Sequence, residues 1–80
     1  MIVEDRAKML LATALEIEVA AVPPDASIAT LEAWDSLAHL RLVQALEKEL
    51  GHELPAEHIF AIATLADVAA VLEGRPIAAS

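Results

Sequence analysis

Two adjacent prolines, Pro23 and Pro24, constrain this chain more than any other feature. Each lacks a backbone N–H, and its ring clashes with the preceding turn, so no helix passes through the pair. On either side, apolar residues recur at helical intervals. Val3, Ala7, Leu10, Leu11, Ala14 and Leu15 lie three or four apart, with Asp5, Arg6, Lys8 and Glu16 opposite, which predicts a first helix over Val3–Ile17. A second is expected from about Ser36 to Leu50, with Asp35 as N-cap and Gly51 as the terminating glycine. Pro55 suits the first position of a short helix running to Ile59 or Phe60. Thr64-Leu65-Ala66-Asp67 reads as a capping box with Asp in place of Glu. It opens a last helix carrying Leu65, Val68, Ala69, Val71 and Leu72, which Gly74 and Pro76 stop; residues 77–80 are expected to fray. The stretch around the prolines holds the turn formers Asp25, Ser27 and Thr30. Val19, Val22, Ile28 and Leu31 are spaced along it, so a loop pinned to the core is expected. Long loops of this kind in a compact domain are usually functional.

Eighty residues make one domain, 1–80. Alanine supplies 18 residues and leucine 12, against two aromatics, Trp34 and Phe60, and two glycines. That balance favours an all-α domain, a small four-helix bundle of three main helices and one short one. Thirteen acids against five bases give a net charge of −8, which offers no electrostatic route to a nucleic-acid backbone and suits protein partners with basic patches. Charges interrupt every long apolar stretch, so no membrane insertion is expected. The opening MIVEDRAK has acids where a signal peptide needs a basic and then an apolar region. With no cysteine, thiolate metal sites, disulfides and cysteine nucleophiles are all excluded. A cytoplasmic monomer is the expectation.

The second helix carries the functional signal. Stepping about 100° per residue from Ser36, Leu42, Val43, Leu46 and Leu50 fall on one stripe about 100° wide, and His39 falls inside it as a core-edge histidine. Arg41, Gln44, Glu47 and Lys48 cover the opposite face, yet Leu37 and Leu40 land among them. Either the preceding loop covers these two leucines or they form a docking patch beside Ser36. As a hydrolase nucleophile Ser36 is badly supported: there is no G-x-S-x-G elbow, and nothing marks His39 as its base. A helix N-terminus does favour an anion, so a phosphodiester on the Ser36 hydroxyl would lie in a favourable field. His52 and His58, six apart across a proline turn, lack metal spacing, and no metal site or catalytic residue is expected.

Trp34-Asp35-Ser36-Leu37, followed by AHLRLVQALEKELGHELP, resembles the acyl carrier protein family: Asp-Ser-Leu opens the second helix, then an amphipathic stretch leads to a Gly/acid/Leu-Pro turn. The likeness covers nearly the whole chain. It implies 4′-phosphopantetheine on Ser36, transferred from coenzyme A by a phosphopantetheinyl transferase using Mg²⁺, with Asp35 helping to hold the metal and Leu37 beside the arm. It further implies a non-catalytic carrier of acyl or aminoacyl thioesters, loaded by a ligase and serving downstream transferases or synthases. Family members also shelter a carried chain between helices. Leu42, Leu46, Ile62 and Val68 would wall such a space here, or they are ordinary core.

Two departures from the family pattern bear on specificity. Fatty-acid-synthesis carriers have a strongly acidic second helix, whereas residues 36–50 here balance Glu47 and Glu49 against Arg41 and Lys48. The glycine common before Asp-Ser-Leu is replaced by Trp34, which either lies beside the arm as part of the docking face or anchors the loop through its indole N–H. Both point to a specialised, free-standing carrier of a lipid, polyketide or aminoacyl-transfer pathway. The docking face would comprise Trp34, Leu37, Leu40, Arg41, Gln44, Glu47 and Lys48. The competing reading is an unmodified helical adaptor that binds a partner through Leu37, Leu40 and its acidic faces.

Overall fold

A computed structural model describes residues 3–75. Four helices follow in order: α1 (Val3–Leu15), α2 (Ser36–Leu50), α3 (Ala56–Ala61) and α4 (Leu65–Leu72), with one 3₁₀ turn at Val19–Ala21. Helix α1 packs on both α2 and α4, and the core forms where the three meet. Leu11, Leu42, Leu46, Ile62, Leu65 and Val68 are fully buried there, and the interior of the described residues holds no buried polar side chain. The all-α bundle expected from the apolar spacing is the fold observed. Pro76 and residues 77–80, expected to mark a stop and a frayed end, lie outside the described residues.

Helix boundaries follow local chemistry. Asp35, in an extended conformation, accepts the Ala38 N–H at 2.8 Å and caps α2, while Gly51 ends it at φ 78°. Thr64 and Asp67 close a reciprocal capping box at α4, with Asp67 replacing the usual Glu. Two limits differ from the expected ones. Helix α1 stops two residues short of Ile17 because Glu16 turns left-handed at φ 59° and Ile17 bonds back to the Ala12 carbonyl. Pro55 sits one position earlier than expected, as the extended N-cap of α3, and the helix runs on to Ala61.

The long loop is tied down, though not by all the residues expected to do so. Val22 is buried and Leu31 packs half-buried on the core, but Val19 and Ile28 are exposed; Ala26 and Trp34 are the other buried anchors. Two backbone hydrogen bonds stitch the loop to the α3–α4 connection: Ile28 N–H to the Ala63 carbonyl at 2.8 Å, and Leu65 N–H to the Ala26 carbonyl at 2.9 Å. That stitch, with buried Trp34 at its far end, delivers the chain to the start of α2.

Candidate functional site

Ser36 is the first residue of α2, and it is exposed. The capping is done by Asp35, so among the described residues the Ser36 hydroxyl has no structural hydrogen bond to break. Asp35 lies where the helix macrodipole favours a negative charge, and its carboxylate is exposed beside the hydroxyl. Asp35→Ala should cost about 1 kcal/mol in chemical denaturation, and Asp35→Asn only a few tenths, since Asn also accepts the capping bond.

Of the residues expected on a docking face, Leu37 and Leu40 are 57% and 54% exposed, so the loop does not cover them. Arg41, Gln44 and Lys48 are exposed along the same side of α2. Arg41 meets Glu16 at 3.4 Å, a long contact between exposed groups that contributes little. Glu47 is committed elsewhere: its carboxylate accepts the Leu54 N–H at 2.8 Å and holds the turn after α2. Glu49 pairs with Arg6 of α1. Both acids of α2 therefore serve the fold.

Trp34 does not belong to the docking face. The side chain is 2% exposed, and its indole N–H donates to His39 Nδ1 at 3.0 Å, with the rings stacked 6.1 Å apart at 26°. A glycine-sized residue before Asp-Ser-Leu is replaced here by an aromatic that turns inward, because inside it finds both apolar cover and a hydrogen-bond acceptor. An indole N–H can only donate, so His39 Nδ1 must be the bare nitrogen; Nε2 then carries the proton and donates to the Ile59 carbonyl at 2.8 Å. His39 thus joins loop, α2 and α3, and neither ring nitrogen is free to serve as a base for Ser36. Periodicity places His39 at the core edge, but its two partners lie outside the reach of helical spacing.

Leu42, Leu46, Ile62 and Val68, the expected wall residues, meet in the centre of the core. A surface depression of about 610 Å³ is lined by Val3, Pro24, Leu65, Ala69 and Arg75 among others, and by no residue of α2. Ile59 is half-buried against the core, whereas Phe60 is 85% exposed. His52 and His58 are exposed, and no group of three or more metal-ligating side chains occurs among the described residues.

The described residues form a small helical bundle that presents an exposed serine on the first turn of α2. The chain belongs to the phosphopantetheine attachment site family, whose model matches residues 5–72. It is also similar to an acyl carrier protein of Thermosynechococcus vestitus, 36% identical over 64 residues, which span 80% of this chain and 79% of the relative. The protein is thus a phosphopantetheine carrier, its cofactor is covalently attached 4′-phosphopantetheine, and it works through partner enzymes. No helix among the described residues is long and apolar enough to cross a membrane.

Proposed function

We propose that Ser36 is the attachment point and that the chain carries acyl or aminoacyl thioesters to enzymes of a specialised lipid, polyketide or aminoacyl-transfer pathway. The observation that carries this reading is the exposed Ser36 hydroxyl, free of structural duty on a turn capped by its neighbour Asp35. In the transfer, the Ser36 oxygen bonds to the pantetheine-bearing phosphorus of coenzyme A, the pyrophosphate bond to adenosine 3′,5′-bisphosphate breaks with that group leaving, and the hydroxyl proton passes to a base of the transferase or to solvent. Asp35, exposed next in the chain to Ser36, would supply a carboxylate for the Mg²⁺ that accompanies the nucleotide. The arm, once attached, offers a terminal thiol for thioester formation, and with no cysteine in the chain it is the carrier's sole thiol. A tether of this kind works by effective concentration at each partner's site.

The partners are a phosphopantetheinyl transferase, a loading ligase and downstream transferases or synthases. They dock on Leu37 and Leu40, with Arg41, Gln44 and Lys48 at the rim. Because Glu47 and Glu49 are engaged within the fold, this face lacks the free acids of a fatty-acid-synthesis carrier, which supports a specialised pathway. The high acidity and absence of cysteine fit a cytoplasmic monomer. Incubation with coenzyme A, Mg²⁺ and a promiscuous transferase should add one phosphopantetheinyl group by intact mass, located by fragmentation to Ser36. No gain in mass would leave the helical adaptor.

Leu37→Ala and Leu40→Ala should slow transfer and loading while lowering stability by less than about 1 kcal/mol, as expected for exposed positions. A loss above roughly 3 kcal/mol on denaturation would make them core leucines and end the docking reading.

A further inference from the structure

We propose that the Trp34–His39–Ile59 hydrogen-bond chain is a latch that holds α3 on α2 and decides whether a carried chain enters the bundle. The cargo half of this proposal rests on the carrier reading above. Helix α3 has only six residues, none of them buried, and no side-chain cap. A helix that short has no stability of its own. It is strung between two anchors, Leu54, whose N–H Glu47 holds, and buried Ile62. Between them, His39 Nε2–H to the Ile59 carbonyl is the one side-chain hydrogen bond from α2 to α3 among the described residues.

The core beneath is closed. Leu42, Leu46, Ile62 and Val68 are buried at its centre, and a depression of about 610 Å³ lies against α1 and α4 instead of α2. An entering chain must therefore displace an element, and α3 is the one α-helix with no buried residue among those described. Latched, α3 keeps the cargo outside and open to partners. Unlatched, it swings from the α2 edge and admits an aliphatic chain to the apolar centre. Because Trp34 lies two residues before Ser36, the same ring that pins α3 also fixes the loop bearing the attachment serine. His39 acts through α3 and Trp34 and is a positioning residue.

The test compares the parent with His39→Phe, which keeps an apolar ring but makes neither hydrogen bond, and with Trp34→Phe, which removes only the donor. In the unmodified proteins, amide exchange at His58, Ile59 and Ile62 should quicken about tenfold in His39→Phe, as for loss of one hydrogen bond, with Leu11 and Val68 unchanged. Imidazole ¹⁵N shifts should report the Nε2–H tautomer in the parent and mixed tautomers in Trp34→Phe. On proteins loaded from octanoyl- or acetyl-coenzyme A, hydroxylamine should cleave the octanoyl thioester several-fold more slowly in His39→Phe than in the parent, and the acetyl thioester equally in both. Unchanged exchange in α3, equal quickening in α1 and α4, or equal effects on octanoyl and acetyl thioesters would overturn the latch. Failure of the parent to accept the arm would instead overturn the carrier reading, and the exchange comparison would still decide whether His39 pins α3.

Discussion

Ser36→Ala is expected to fold as well as the parent and to accept no phosphopantetheinyl group. The two halves of that result have separate physical grounds. The serine side chain is exposed and bonds to nothing among the described residues, and alanine is the better helix former, so denaturation midpoints should agree within about 0.5 kcal/mol. The capping bond from the Ala38 N–H to Asp35 is untouched. Modification should nevertheless vanish, because no other hydroxyl stands at the start of α2. Ser27 and Thr30, on the preceding loop, hydrogen-bond each other at 2.9 Å, so Ser27→Ala serves as the control and should be modified in full. A mass gain that survives in Ser36→Ala would put the arm on another residue and remove the basis of the functional reading.

Leu46→Ala should do the reverse, weakening the fold and leaving the chemistry of Ser36 intact in whatever fraction stays folded. Leu46 has no exposed surface and lies in the core with Leu42. Truncating such a leucine costs about 2–5 kcal/mol, the transfer term plus the cavity left behind. A domain of this size has only about 4–12 kcal/mol of stability, so the variant sits near the edge of folding. A loss of about 3 kcal/mol corresponds to a fall in Tm of roughly 12–24 °C. Leu40→Ala, six residues earlier and more than half exposed, is the matched contrast. Thermal melts of the pair give the sharpest check on which face of α2 is interior, and equal losses would refute the assignment.

Much of this was legible before any coordinates, and for a common reason. The inward placement of Leu42, Val43 and Leu46, the outward placement of Leu37 and Leu40, the Asp35 cap, Gly51 and the Thr64 box all depend on residues within one or two turns. The features that escaped depend on distant partners or on backbone strain. For Trp34 the sequence leaves docking face and loop anchor both open, and its partner His39, itself fixed by a carbonyl twenty residues further on, decides for the anchor. Glu47 leaves the charged face to hold Leu54. Val19 and Ile28, apolar and regularly spaced, stay outside because Ala26 and backbone pairing do the anchoring. Glu16 ends α1 in a conformation usually reserved for glycine, with nothing in its identity to announce it.

The stitch between the long loop and the α3–α4 connection has an evolutionary side. Its bonds run from main chain to main chain, at Ala26 with Leu65 and Ile28 with Ala63, so they impose no demand on the outward side chains of Ala29 or Glu32. Those positions can drift freely while the path to Ser36 stays the same. A lineage could thus retune what approaches the serine by changing loop residues alone, without disturbing the bundle.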